Sequence, residues 1–214
     1  MKIRYLGHSC FVLTKSGGCS IVTDPYGDVG FCMPEIFAQA VTSSHSHYDH
    51  CNVGGVLGVS AVFDKAGKFS FENIKISALA SWHDDAHGLK RGSNLIFKFY
   101  MDNLSICHLG DLGEPCNDAL IEKIGHVDVL LIPVGGNYTI DAAQAKEYVD
   151  RINPSVTIPM HYMQRGLNIA ISGPDEFLNK FPQSQVMKVG YETELSEADI
   201  SNSKPKIIVM ERAL

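Results

Sequence analysis

At 214 residues, 45% of them hydrophobic, the chain is long enough to bury one substantial core, and nothing in its composition demands two. With 18 Lys and Arg against 24 Asp and Glu, a formal net charge of −6, it lacks the basic footprint that grips a nucleic-acid backbone, so small-molecule substrates are favoured over polyanions. No apolar run is long enough to span a bilayer, and Met1-Lys2-Ile3-Arg4-Tyr5 interleaves charges with apolar side chains where a signal peptide needs a continuous apolar core.

In chain order, short strand-like runs separated by Gly, Asp or Asn fill the first half: Ile3 to Leu6, Cys10 to Thr14, Cys19 to Thr23, Ala40 to Thr42, Lys75 to Ala80, Asn94 to Tyr100 and Leu104 to His108. A helix is expected from Pro115, whose ring suits a first turn, to Ile124. Val127 to Pro133 reads as a buried strand, and Asp141 to Arg151 as a helix with Asp141 as N-cap and Gln144 completing a capping box. Ser155 to Pro159, a helix from Pro174 to Lys180, and strands near Gln185 to Val189 and Lys206 to Met210 finish the chain. No linker, repeat or charge block divides it, so residues 1–214 are expected to form a single layered α/β domain, with homo-oligomerisation left open. The six cysteines, Cys10, Cys19, Cys32, Cys51, Cys107 and Cys116, form no Cys-x-x-Cys pair and predict reduced, mostly buried thiols of a cytoplasmic protein. Cys51 is the exception, a thiol set directly behind the histidine loop described next and open to oxidation.

The sequence concentrates its chemistry in Ser44-His45-Ser46-His47-Tyr48-Asp49-His50, three imidazoles and one carboxylate directly after the apolar Ala40 to Thr42 run. If the extended backbone persists, His45 and His47 fall on one side and grip one ion together, while Asp49 and His50 serve another. Imidazole and carboxylate are the ligands that borderline divalent ions such as Zn²⁺ prefer. Further candidates lie just beyond other apolar runs: His83 and His87, His108 and Asp111, His161, and Asp24, the usual way in which a rigid sheet assembles a site. A strand continuing from His108 to Asp111 would turn their side chains to opposite faces, which favours His83 over His108 as the third imidazole of the first ion. Asp24 reads as an orienting carboxylate for a ligand imidazole, and His8 as a neighbour of the site.

The loop His45-Ser46-His47-Tyr48-Asp49-His50 resembles the His-x-His-x-Asp-His hallmark of the metallo-β-lactamase superfamily. Gly7-His8-Ser9, Thr23-Asp24-Pro25, Gly110-Asp111-Leu112-Gly113, Pro133-Val134-Gly135-Gly136 and Ile158-Pro159-Met160-His161 follow in that superfamily's order across almost the whole chain. The order is similar to that of small zinc-dependent hydrolases related to ascorbate-6-phosphate lactonase and to the phospholipase D that hydrolyses N-acylphosphatidylethanolamine. The resemblance implies a four-layer αββα sandwich with two divalent ions at one edge of the sheets, zinc first and Mn²⁺ or Fe²⁺ as alternatives. It implies His45, His47 and His83 on one ion, Asp49, His50 and His161 on the other, and Asp111 bridging both, with His108 then behind the ligands or beside the substrate.

Such a centre would activate water for attack on a carbonyl or phosphoryl carbon or phosphorus, with Asp49 orienting the nucleophile or passing its proton. Arg91, Asn137 and Tyr138 are the substrate-side candidates, Arg91 for a phosphate or carboxylate. The expectation is therefore a metal-dependent hydrolase of a small ester, lactone or phosphoester. Its rivals are a nuclease of the same fold, opposed by the acidic balance, a redox di-iron protein, opposed by His47 and the single-domain length, and a non-catalytic metal-binding module.

Overall fold

The computed structural model describes residues 1–201 and 205–214. In chain order its elements are strands β1 (Lys2–Gly7), β2 (Cys10–Thr14), β3 (Ser20–Thr23), β4 (Ile36–Phe37), β5 (Ala40–Thr42), β6 (Val56–Leu57), β7 (Ala61–Phe63), β8 (Gly67–Phe71), β9 (Ile74–Trp82), β10 (Ser93–Met101) and β11 (Leu104–His108). Then come helix α1 (Asp118–Ile124), β12 (Val129–Pro133), α2 (Ala142–Ile152), β13 (Val156–Met160), α3 (Asp175–Leu178), β14 (Val186–Val189), β15 (Glu192–Glu194), α4 (Glu197–Ser201) and β16 (Lys206–Met210).

A six-stranded sheet, β15-β1-β2-β3-β5-β7, faces an eight-stranded sheet, β14-β16-β13-β12-β11-β10-β9-β8. Side-chain alternation sorts the residues between layers. Ile3, Tyr5, Phe11, Leu13 and Ile21 of the first sheet meet Ile76, Phe97, Phe99, Ile106, Leu131 and Ile158 of the second in one apolar core. Residues of opposite parity, Ile96, Cys107, Leu130 and Ile132, face outward, where Leu120, Ile124, Ala145, Tyr148 and Phe177 of the helices cover them. Leu6, Val12, Val22 and Val41 on the outer face of the first sheet are covered by Tyr26, Val29, Ile36, Val56, Leu167 and Ile171. The α/β sandwich expected from the sequence is present, and the layer over its first sheet is thinned to loops and the β4-β6 ribbon.

The helix boundaries follow their caps more closely than proline. Asn117, whose side chain accepts from the Leu120 N–H, starts α1 at Asp118, so Pro115 lies outside the helix. Asp141 and Gln144 form the expected capping box on α2, and α3 is one turn, shorter than its apolar pattern predicts. Strands β4, β6, β7, β8 and β15 go beyond the sequence reading, because pairing with neighbours, not local propensity, makes them strands. The thiols are all free, as expected, but only Cys10 and Cys107 are buried and Cys32 is exposed, since it lies in a loop and not in an apolar run.

Topology decides where chemistry can collect. β3, β5 and β7 are parallel, as are β11, β12, β13 and β16, while β1 and β9 each sit two antiparallel steps away from β3 and β11. The C-terminal ends of β1, β3 and β5 thus share one edge of their sheet, and those of β9, β11, β12 and β13 share one edge of the other. The His161 N–H donates to the His8 carbonyl at 2.9 Å and stitches these two edges together.

His108 belongs to that seam. It is fully buried, its Nε2–H donates to the Ser9 carbonyl at 2.8 Å, and its Nδ1 accepts from the Gly110 N–H at 3.1 Å, which fixes one tautomer. Both ring nitrogens are spent on backbone, so His108 does not face substrate. We expect His108→Ala to lower unfolding free energy by about 2–4 kcal/mol, because it strands two buried backbone groups. Urea unfolding checks this, and metal content equal to wild type is expected in the same sample.

Candidate metal centre

Each candidate is delivered by a strand end. His8 is the first residue of the two-residue hairpin between the paired Gly7 and Cys10, at φ 53°. Asp24 follows β3 at φ 41° and His161 follows β13 at φ 49°. Three non-glycine residues with positive φ at one edge mark a backbone bent to serve side chains. The extended backbone expected through His45 and His47 is absent, since β5 ends at Thr42. The loop is instead wound up by the Ser43 hydroxyl, which donates to the His45 carbonyl at 2.8 Å and the His50 carbonyl at 3.1 Å, and by the His50 N–H donating to the His47 carbonyl at 2.9 Å. The rings of His45 and His47 still meet, with centroids 4.5 Å apart.

The side chains converge in two groups, joined by a third of His45, His50 and Asp111. The ligating atoms of His45, His47 and His83 lie within 4.8 Å of one another, and so do those of His8, Asp49, His50 and His161. Asp111 stands between the groups. Its Oδ2 is 3.1 Å from His161 Nε2, 3.2 Å from His50 Nε2, 3.4 Å from His83 Nε2 and 4.0 Å from His45 Nε2.

A second set of residues orients the first. Asp24 is fully buried; one oxygen accepts from the Ser44 N–H at 2.8 Å, and the other from the Ser44 hydroxyl at 2.6 Å and His50 Nδ1 at 2.9 Å. With its proton given to Asp24, the Ser44 hydroxyl can only accept from His45 Nδ1, 2.9 Å away. One carboxylate thereby leaves the Nε2 lone pairs of both His45 and His50 turned inward. Asn94, buried in β10, does the same for Asp111: its Oδ1 accepts the Asp111 N–H at 2.9 Å, and its Nδ2 donates to Ser81 Oγ and the Leu109 carbonyl, each at 2.9 Å. Gly110 makes this approach feasible, since a Cβ there would lie 2.3 Å from Asn94 Oδ1. Sequence reasoning missed Asn94, although an asparagine inside an otherwise apolar strand is itself a signal.

The electrostatics call for positive charge. Burial together with the His161 imidazole lowers the His8 pKa to about 4, and burial with His50 lowers His45 to about 3. Burial also lowers His83. His50 goes the other way: burial opposes its charge, but Asp111, Asp24 and Asp49 together raise it well above the usual imidazole range. Burial works against ionised Asp111 too, and His161 and His50 nevertheless hold it well below the usual carboxylate range. His45 Nε2, Asp111 Oδ1 and the Nδ1 atoms of His8, His83 and His161 are buried without a hydrogen-bond partner. Unpartnered nitrogen and oxygen donors around clustered carboxylates, with no cysteine among them, fit a divalent cation.

The cluster floors a cavity of about 510 Å³ lined by His47, Tyr48, Asp49, His83, Arg91, Asp111, Tyr138, His161 and the 168–170 segment. A larger hollow of about 690 Å³ lies across His47 and Arg91, which wall both. Arg91 Nη2 donates to the Asn137 carbonyl at 3.0 Å, and its guanidinium sits 5.4 Å from the Tyr138 ring centroid. Asn137 Nδ2 is spent on the Ala170 carbonyl at 2.7 Å. His87 is exposed and packs its ring edge-on to Trp82, away from the cluster, and Cys51 Sγ lies 3.4 Å from the Ser46 carbonyl.

The chain matches the model of the beta-lactamase superfamily domain over residues 2–161 and belongs to the metallo-β-lactamase superfamily. A crystal structure of a candidate zinc-dependent hydrolase of that superfamily from Thermotoga maritima shares 37% identity, covers 99% of each chain and superposes with a TM-score of 0.81. A protein named a metal-dependent hydrolase from Carboxydothermus hydrogenoformans is 27% identical over 192 residues, 76% of this chain and 84% of that one. Another of that name from Thermoplasma acidophilum is 29% identical over 189 residues, 76% of this chain and 83% of that one.

Asp84, also missed from sequence, builds the loop that carries Arg91. Its buried carboxylate accepts the N–H groups of Ala86 and Gly88, each at 2.8 Å, Lys90 at 2.9 Å and Arg91 at 2.7 Å. Burial alone would raise its pKa, and the four N–H donors instead lower it from 3.8 to about 2. Stability linked to Asp84 is therefore complete above the unfolded value and lost as pH falls through about 2. Asp84→Asn, which turns an amide donor toward two of these N–H groups, is expected to lower Tm at neutral pH by several degrees and to converge on wild type between roughly pH 4 and 2. Thermal unfolding across that range checks it, and parallel curves would remove Asp84 from the acid response.

Proposed function

We propose that this member of a family of metal-dependent hydrolases holds two divalent ions, zinc first, and hydrolyses a small ester, lactone or phosphoester, with residues 1–214 acting as one domain. The observation that carries this is the convergence of the ligating atoms of His45, His47 and His83 and of Asp49, His50 and His161 around Asp111, with His45 Nε2 and Asp111 Oδ1 buried and unpartnered, beside an open cavity. His45, His47 and His83 would hold one ion and Asp49, His50 and His161 the other, with Asp111 shared. Ions in such a site lower the pKa of a water to near neutrality and draw electron density from a scissile carbonyl or phosphoryl group.

The protein's own groups do the rest. Asp49, whose Oδ2 is steadied by His8 at 3.1 Å and His50 at 3.5 Å, is the carboxylate of its group and borders the cavity. It would take the proton of the attacking water and pass it to the leaving group. Arg91, braced by the Asn137 carbonyl and the Tyr138 ring, offers its guanidinium fork to a substrate phosphate or carboxylate. The Tyr138 hydroxyl would donate to charge that develops beside it. A cavity of about 510 Å³ and an acidic chain support a small molecule over a nucleic acid. Among the described residues no helix is long and apolar enough to cross a membrane, and six unbridged cysteines support a reducing, cytoplasmic setting.

Metal analysis of the purified protein, coupled to a panel of lactones, phosphodiesters, thioesters and amides, tests the proposal; metal-free protein or no turnover on any class would sink it. Asp111→Asn is expected to lower metal content and reduce turnover more than about 100-fold, beyond what loss of an outer partner produces, with an unchanged circular dichroism spectrum. Full turnover with two ions retained would exclude Asp111 from the mechanism. Under limiting zinc, His83→Ala should lose metal.

A further inference from the structure

The seven residues of the proposed centre leave His8 unassigned, and its placement is not that of a bystander. His8 Nε2 lies 3.1 Å from Asp49 Oδ2 and 3.2 Å from His50 Nε2, and its ring centroid is 4.4 Å from that of His161. Two ligands of one ion with bonds of ~2.1 Å sit ~3.0 Å apart at a right angle and ~3.4 Å apart at a tetrahedral angle. Four of the five edges around this half of the cluster fall in that range and the fifth lies just above it: 3.1 and 3.2 Å from His8, 3.2 Å between His50 and Asp111, 3.1 Å between His161 and Asp111, and 3.5 Å between His50 and Asp49.

His8 also shares a signature with His83 and His161: Nε2 turned into the cluster, and Nδ1 buried with no partner. His50 gives its Nδ1 proton to Asp24, so in the neutral ring its Nε2 presents a lone pair to His8 across 3.2 Å. A cation between the two nitrogens and Asp49 would take both lone pairs and the carboxylate at once. The fold, finally, places this imidazole at φ 53° in a two-residue hairpin, a conformation that suits Gly or Asn, so the position is held against local preference.

We propose that His8 is a direct ligand of the second ion. Resting on the two-ion reading above, this makes the halves of the centre chemically unequal. One half has His45, His47, His83 and a share of Asp111, a four-donor set beside the open cavity. The other has His8, Asp49, His50, His161 and Asp111, three imidazoles and two carboxylates, a set that suits an ion taking five or six ligands, Mn²⁺ or Fe²⁺ as well as zinc. The more open ion would then meet the substrate, while the more enclosed one fixes the geometry.

The test uses the full chain, stripped by chelation and titrated with Co²⁺ while visible absorption and metal content are followed. Wild type is expected to bind two ions, one with the weak absorption of a five- or six-coordinate site. His8→Gln keeps an N–H donor for Asp49 but has no imidazole lone pair. It should weaken one of the two ions by more than the ~100-fold that loss of an outer partner costs, and shift that ion to the intense absorption of four-coordinate cobalt. His8→Gly, which relieves the positive φ, should behave likewise and regain the wild-type spectrum on addition of free imidazole. Two ions bound by His8→Gln with wild-type affinity and spectrum would overturn the proposal and leave the two-ion centre standing. Fewer than two ions in wild type would overturn the two-ion reading itself, and this proposal with it.

Discussion

Charge balance around buried carboxylates governs this structure. Asp24 and Asp111 are almost wholly removed from solvent and Asp49 is largely so, and all three crowd around His50. An uncompensated buried charge costs several kcal/mol, so such a pocket persists only with positive charge and hydrogen-bond donors supplied at close range. The three carboxylates favour a proton on His50, and divalent ions would meet the demand more fully in its place. Asp24 is the fixed point: its bonds to Ser44 and His50 set the tautomers of two imidazoles and tie the histidine loop to the end of β3.

The sandwich makes so polar an arrangement tolerable. Its two sheets bury apolar faces against each other and bring seven strand ends to one edge, where irregular backbone can leave the ladders without stranding their hydrogen bonds. At that edge His161 and His108 clamp the sheets through the carbonyls of His8 and Ser9, and Gly110 lets Asn94 pin the Asp111 backbone. Positive φ at His8, Asp24 and His161 is the conformational cost of aiming three side chains inward, and the surrounding hydrogen bonds hold it in place.

Function is divided between this rigid floor and loops that wall the cavity. The 84–91 loop, organised by Asp84, presents Arg91, while Asn137 and Tyr138 follow β12 and Asn137 ties in the lining segment Asn168 to Ala170. Arg91 and His47 also border the larger hollow, so a substrate longer than the first cavity would pass between them. On the proposed function, loop residues of this kind would select a substrate without altering the floor, which fits a superfamily that shares a fold across different chemistries.

The histidine loop, the strand ends at Asp24, His83, Asp111 and His161, and the layered α/β class could be read as candidates from the residues, because imidazole and carboxylate recur just beyond apolar runs in a chain that also carries the loop. His87 and His108 show that such a position alone does not make a ligand. Local rules also placed α2 through its capping box and most strands through their apolar runs. Other features were decided by tertiary structure. The shape of the histidine loop depends on Ser43 and Asp24, not on a continued strand, and Asn94 and Asp84 acquire their roles only through partners distant in sequence or through folded backbone. His108 was one of two alternatives in sequence, and its commitment to backbone followed from the bend at Gly110 and the approach of Ser9 from the other sheet. His8 is 37 residues or more from every other candidate ligand except Asp24, so its place beside Asp49 and His50 was fixed only when the two sheet edges closed. Residue chemistry and period are local and so were legible in sequence; which lone pairs meet depends on long-range packing, which one sequence does not encode locally.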